Sequence, residues 1–346
     1  YRGTAPWSEP EIRAVRDLAL ENDYVFSIAW HSSRSGSLSE KVYNSWRWDG
    51  DKKTPDNTTI KGIGDQIAEL ILKENSTDTY QSLYGQSRNG KAHDWFYHAT
   101  GCFQYLIECG TSNLQPDSAL IEDTIDRLMP AMLFLMDRSI GYNTDASQIT
   151  GIITDGGTGM PLKDAIITID ELHGGVQKPR KSDEFGRYRR IVEPGTYSVR
   201  YEKSGYYPLN FLVTANASTP TTQNVTLVPL PLHNVNITIA SFMQPVVLDE
   251  NPFLVIANEG ISDTIEMDFN HFHSLTIPEG EWEFTIYWDY LIPWRRTITI
   301  SGDQELNVNM PQPSWMQNIY GGTIFDSSSF STIIGPWSFN NSIRTQ

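Results

Sequence analysis

Tyr24-Val25-Phe26-Ser27-Ile28-Ala29-Trp30 is a short, nearly continuous apolar run that stops on His31 and Ser32. A run of this kind, with little polar alternation, suits a buried strand. Working outward, Cys102-Phe103-Gln104-Tyr105-Leu106-Ile107 is a second such candidate, and it stops on Glu108, followed at once by Cys109-Gly110. Helical patterns surround both. Ser8-Glu9-Pro10-Glu11 reads as a helix opening with Ser8 as N-cap and Pro10 in the first turn, and the helix runs to about Glu21. Ile60, Ile63, Ile67, Leu70 and Ile71 share one helical face, and Leu120, Ile121, Ile125, Leu128, Met132 and Leu135 mark a long amphipathic helix. Strands alternating with helices predict an α/β module over residues 1–143. Open sheets of that class place their sites at the carboxyl ends of strands, where His31 and Glu108 stand.

Beyond Asn143 the periodicity changes. Short β runs separated by Gly, Pro and Asp turns fill residues 148–230: Ile149 to Thr154, Ala165 to Asp170, Tyr188 to Ile191, Thr196 to Tyr201 and Asn224 to Leu227. No helical pattern interrupts them, which predicts a β-sandwich. Asp183-Glu184-Phe185-Gly186 has the chemistry of a tight hairpin. A second, immunoglobulin-like sandwich is expected over 233–312, where Trp282-Glu283-Phe284-Thr285-Ile286-Tyr287-Trp288 alternates clearly. Its tryptophans, Trp282, Trp288 and Trp294, read as core before they read as a binding strip. Pro229-Leu230-Pro231 and Pro311-Gln312-Pro313 punctuate the boundaries, and 313–346 reads as the start of a further module. The fold class is therefore α/β followed by all-β sandwiches.

A net charge of −16 argues against a nucleic-acid or anionic-membrane partner, since both need clustered Lys and Arg. No apolar run approaches the roughly 20 residues that span a bilayer. The chain opens at Tyr1 already inside patterned sequence, without a leader-like segment, and is expected to be a fragment at both ends. Cys102 and Cys109, at the two ends of one apolar run, are too far apart to bond if that run is a single strand, so both are expected as free thiols.

Four segments together resemble the zinc carboxypeptidases of the A/B/T kind. Tyr1 to Glu11 is similar to the stretch that opens the helix before the family's third zinc ligand, and Ile28-Ala29-Trp30-His31-Ser32 is similar to its strand ending in His-Ser. Asp94-Trp95-Phe96-Tyr97 resembles the Asp-Trp-x-Tyr segment of the specificity pocket. Thirteen residues beyond Trp95, Tyr105-Leu106-Ile107-Glu108 resembles the strand ending in the catalytic glutamate. The resemblance implies a mixed-sheet catalytic domain of which this is the C-terminal half. It makes His31 a zinc ligand, Glu108 the general base and Ser32 part of the substrate site. Tyr84, with Tyr80 as its competitor, would cap the substrate, and His93 would read its C-terminal residue. The cofactor implied is Zn2+ and the partners are peptide or protein C-termini. The family's His-x-x-Glu ligand pair and substrate-binding arginines would lie upstream of Tyr1. Of His93, His98, His173, His233, His271 and His273, none has Glu three residues on. Ile149 to Asp155, Gly159 to Ala165, Asp183 to Tyr188 and Pro194 to Tyr197 resemble the transthyretin-like regulatory domain that follows many such peptidases. The expectation is a secreted or cell-surface metallocarboxypeptidase. A non-catalytic scaffold, or a zinc amidase or deacylase on the same fold, is the alternative, and His93 and Ser33-Arg34 are where a changed substrate would show.

Overall fold

The computed structural model describes residues 3–32, 38–45, 53–84, 91–111, 117–142, 146–175, 177–240, 251–258, 261–267, 272–288 and 291–310. The chain divides into two compact units, Tyr1–Leu230 and Pro231–Gln346.

The first unit begins with helices α1 (Pro10–Glu21), α2 (Asn57–Leu70), α3 (Ala92–Thr100) and α4 (Ser118–Ile140), and strands β1 (Phe26–His31), β2 (Lys41–Tyr43), β3 (Gln81–Leu83) and β4 (Phe103–Glu108). The sheet order is β1-β4-β2-β3. β1 runs parallel to β4, β2 antiparallel to β4, and β3 parallel to β2. Ile60, Ile63 and Ile67 of α2, Leu128, Ala131 and Leu135 of α4, and Phe103, Tyr105 and Ile107 of β4 share one core.

Two expectations are corrected here. Ser8 is not the N-cap of α1. Glu9 is, with Pro10 as the first helical residue, where its missing N–H costs nothing. The Ser8 hydroxyl is spent on the Glu9 carboxylate, 2.8 Å away. The buried-strand reading holds for β4, buried but for Leu106 and a small exposed fraction of Glu108, but not for β1, whose Trp30 is 47% exposed. The reason is strand order: among the described residues β1 has a neighbour on one side only. The outer face of α4 is likewise apolar and exposed along Ile121, Ile125, Met129, Leu133, Met136 and Ile140, one stripe at helical spacing.

The same unit continues as two sheets built from β5 (Gln148–Asp155), β6 (Ile166–Ile169), β7 (Arg180–Lys181), β8 (Arg187–Ile191), β9 (Gly195–Glu202), β10 (Leu209–Ala215), β11 (Thr221–Thr222) and β12 (Val225–Leu227). One sheet is β10-β9-β6-β7; the other is β11-β5-β12, with β8 also on β5. Tyr188 and Tyr201, one from each sheet, meet hydroxyl to hydroxyl at 2.8 Å inside the core. Asp183–Gly186 is a tight turn, with the Gly186 amide donating to the Asp183 carbonyl at 2.9 Å, but it is not a hairpin within one sheet. β7 pairs with β6 and β8 with β5, so the turn carries the chain from one sheet to the other. Gly186 has φ of +72°, and a Cβ there would lie 2.3 Å from the Ile153 carbonyl oxygen. Glycine is required.

Two arginines of this β part reach into the α/β part. Arg180 Nη1 donates to the Tyr24 carbonyl at 2.8 Å, and Nη2 donates to the Asp23 carbonyl at 2.9 Å and pairs with its carboxylate at 2.8 Å. Arg190 Nη2 donates to both oxygens of Asp56, at 2.9 and 2.8 Å, and the Tyr97 hydroxyl donates to the same carboxylate at 2.7 Å. Asp56 sits at the N-cap of α2 yet makes no side-chain cap bond, because its carboxylate is spent on Arg190 and Tyr97.

The second unit comprises β13 (Leu232–Ala240), β14 (Phe253–Asn258), β15 (Ile261–Glu266), β16 (Phe272–Pro278), β17 (Gly280–Tyr287), β18 (Trp294–Ile300) and β19 (Gln304–Asn309). They form sheets β16-β13-β19 and β15-β14-β17-β18. Side chains from both fill one core, Val235, Ile237, Leu254, Phe284 and Val308 among them. Trp282 and Trp288 are buried in it and Trp294 packs against it, the core role and not an exposed strip. His271 and the segment 313–346 lie outside the described residues.

The Asp56–Arg190 pair is buried on both sides, at 0% and 5% side-chain exposure. Asp56→Ala should therefore destabilise the first unit by about 3–5 kcal/mol, because it leaves an uncompensated buried cation, while the apolar double replacement Asp56→Leu/Arg190→Met should cost much less. Denaturant unfolding of the whole chain measures this, and equal losses in the two variants would refute it.

Candidate active site

The register of β1 against β4 pairs Phe26 with Phe103 and ends on His31 beside Glu108. In-register residues of parallel strands project from the same face, so the two side chains meet: His31 Nδ1 lies 3.1 Å from Glu108 Oε2. The amide of Cys109 continues the ladder, donating to the His31 carbonyl at 2.7 Å. With the carboxylate ionised, Nδ1–H is the donor, and Nε2 carries a lone pair whenever the ring is neutral. Their environments differ sharply, His31 being 61% exposed and Glu108 12%. Glu108 ends the inner strand, with β1 on one side and β2 on the other, where Lys41 is its in-register partner. The Tyr43 phenol is held above its usual pKa by burial and then by the Glu108 charge.

Ser32, half-buried, follows directly on β1. Tyr84 is not brought to the pair. Leu83 is level with Tyr43, and Tyr43 with Leu106, so β3 runs antiparallel to β4 and leaves the sheet away from Glu108. The Tyr84 phenol donates to Asn57 Oδ1 at 2.8 Å, and burial pushes its pKa up to about 12. Tyr80, its competitor, is buried in the core, with its hydroxyl accepting the Gly110 amide at 3.0 Å. His93 is buried near the start of α3, its carbonyl accepting from Ser45 Oγ at 3.0 Å. Burial, and then the Lys91 charge, lower its pKa to about 4. The Asp94 carboxylate is 3.7 Å from His93 Nε2, beyond hydrogen-bond length, and does not reverse the effect of burial.

A catalytic zinc takes three protein ligands and keeps one open position. Among the described residues no group of three or more His, Cys, Asp or Glu could hold a metal ion. His31 with Glu108 is thus too small a donor set for zinc by itself, and these residues alone support no metal-dependent step.

The zinc carboxypeptidase model matches residues 1–130, and the carboxypeptidase regulatory-like domain model matches residues 148–228. Over residues 1–130 the first module is thus similar to the zinc carboxypeptidases. Among relatives, carboxypeptidase D of Drosophila melanogaster is 24% identical over 219 residues, 57% of this chain and 14% of the relative. Carboxypeptidase D of Homo sapiens is 27% identical over 248 residues, 64% of this chain and 16% of the relative. The chain therefore spans about one seventh of the length of these relatives. A streptococcal ancillary pilin covers 84% of this chain and 99% of its own at 10% identity, with a TM-score of 0.34, and that likeness carries no argument. The zinc carboxypeptidase likeness supports a carboxypeptidase-like protein of hydrolase kind, from a family that is zinc-dependent in general. No described helix is long and apolar enough to cross a membrane.

His93 makes this module's stability pH-dependent. Its folded pKa, about 4, is below the ordinary value of 6.5, so the unfolded chain binds the extra proton first as pH falls. The contribution is fully present above about 6.5 and is lost as pH falls toward about 4, amounting to about 3 kcal/mol at most. His93→Gln should flatten the dependence of unfolding free energy on pH in that window. An NMR titration of His93 with a midpoint near 6.5 would contradict the burial argument.

Proposed function

We propose that this chain is part of a secreted or cell-surface zinc metallocarboxypeptidase that removes C-terminal residues from peptides or proteins, and that His31 and Glu108 are the share of its active centre carried here. The observation that carries this reading is their contact at the ends of two parallel strands, 3.1 Å apart, within the module that matches the family. Glu108 is the general base. Its carboxylate takes a proton from the attacking water and later delivers it to the leaving amine, a role that needs a carboxylate fixed within reach of both. His31 would offer a ring nitrogen to a metal from an accessible strand end. Zinc, when bound, supplies polarisation of the scissile carbonyl and a water acidic enough to ionise near neutral pH. Ser32 belongs to substrate binding in this reading, and His93, kept neutral by burial, to recognition of the C-terminal residue; Tyr84, held on Asn57 away from the pair, takes no part in it as placed here.

The remaining ligands and the substrate-binding arginines are assigned to protein preceding Tyr1. The one-sided pairing of β1 and the exposed apolar stripe of α4 support further protein covering this module, since stripes of that size on a helix are normally packed. The chain alone should accordingly bind zinc weakly and release no C-terminal residues.

The test uses the parent protein extended upstream. One zinc per chain and release from free but not blocked C-termini is the expected result. Glu108→Gln should lower release by about 10²–10⁴-fold with zinc retained, and His31→Ala should lower zinc content. Full activity in Glu108→Gln would sink the mechanism. A folded parent with an empty site would favour a scaffold, and cleavage of blocked substrates an amidase.

A further inference from the structure

Cys109 and Gly110 turn the chain immediately after Glu108, and this turn is held from three directions. The Cys109 amide donates to the His31 carbonyl at 2.7 Å. The Gly110 amide donates to the Tyr80 hydroxyl at 3.0 Å, in a fully buried bond. The Thr111 hydroxyl donates to the Glu74 carboxylate. Gly110 has φ of +60°, so the turn also depends on glycine.

Tyr80 is itself fixed. Its ring lies in the core with Ile71, Ile107 and Leu128. Its amide donates to the Ile71 carbonyl at 2.9 Å, and Leu72 bridges to Thr79 beside it. Arg127 of α4 braces the same corner, donating to the Leu72 carbonyl at 2.9 Å and to Thr124 Oγ1 at 3.1 Å. Glu40 Oε1, 3.9 Å from Arg127 Nη1, accepts the Glu74 amide at 2.6 Å. A phenol in an apolar core needs a partner for its oxygen. Here one partner is the backbone two residues beyond the proposed base, and Arg127 is another.

We infer that Tyr80 is a positioning residue: its buried hydroxyl, by holding the Gly110 amide, fixes the exit of β4 and so the aim of the Glu108 carboxylate. It touches neither substrate nor the reacting atoms. The inference rests on the proposed role of Glu108. Partners that orient metal-site ligands typically contribute about 10–100-fold to activity, and a similar scale is expected for one that orients a base, because small misplacements of a base are costly.

The experiment compares Tyr80→Phe, Thr111→Val and Glu108→Gln in the upstream-extended parent, with rates normalised to zinc content, and follows hydrogen exchange at the Gly110 amide. Tyr80→Phe should lower kcat by about 10-fold with KM unchanged, and should speed Gly110 exchange while exchange in the core of α2 stays as it was. Wild-type kcat in Tyr80→Phe, with Glu108→Gln inactive, overturns this inference and leaves the proposed function standing. An active Glu108→Gln overturns both. Should Tyr80→Phe fail to fold, Thr111→Val loosens the same turn from its exposed side, and its kcat should fall with KM held; an unchanged kcat there overturns the inference.

Discussion

Two parallel strands hydrogen-bonded in register carry paired side chains on the same face, and β1 and β4 both end in one such row. That geometric fact is why an imidazole and a carboxylate far apart in sequence come within 3.1 Å. A slip of one residue would set His31 beside Ile107 and turn the carboxylate to the opposite face. The register is secured along its length by Phe26 against Phe103 and Ile28 against Tyr105, and beyond its end by the Cys109 amide on the His31 carbonyl. The site is thus a consequence of the sheet and needs no specialised loop to assemble it.

The β part that follows is tied to this sheet by charge as well as by chain. Arg180 binds the turn that leads into β1, and Arg190 binds the residue that starts α2. Buried ion pairs are poor sources of net stability, because desolvation consumes most of the Coulomb gain, but losing one partner is severe. The two parts are therefore committed to each other: neither can withdraw without exposing or orphaning a charge. The change of periodicity near residue 143 marks a change of architecture and not the limit of a compact unit, which runs on to Leu230.

What could be read in the sequence were elements whose burial follows a single period. β4, α2, β9 and β17 announce themselves by apolar patterning, although Leu70 of α2 is exposed; of the face read for α4, Leu128 and Leu135 are packed while Ile121 and Ile125 lie on the exposed stripe. What could not be read are features set by a neighbour. The half-exposure of β1 follows from its place in the sheet order, which its own residues do not encode. The claim of Arg190 on the Asp56 carboxylate joins residues 134 positions apart, and nothing local in the sequence signals it. Arg180-Lys181 is too short and too polar to read as a strand, and Asp183–Gly186 carries all the chemistry of a hairpin while joining two sheets. At the site, His31 and Glu108 were legible as polar residues ending apolar runs, and the family resemblance gave them roles. Their contact was not, since register between distant strands has no local signal. Tyr84 shows the converse, as the antiparallel course of β3 decides where it goes.

The difference in exposure between His31 and Glu108 has the same origin and bears on the chemistry. Glu108 ends an inner strand, flanked by β1 and β2, and only a fraction of it reaches water. His31 ends the outermost strand described, and most of its ring is open. In the proposed reading this difference suits the roles assigned, since a base is best held where solvent cannot reorganise around it, whereas a metal-binding nitrogen must be reachable. Strand order supplies both conditions to residues in one row. Pairing the open side of β1 with further protein would lower the exposure of His31 without moving it relative to Glu108, because the β1–β4 register is already complete. The hydrogen bond between the two groups would strengthen as water is displaced, since the local dielectric falls. The His31–Glu108 pair is thus preorganised: its geometry is set by its own sheet, and any protein packed against it would change the dielectric around the pair and not its register.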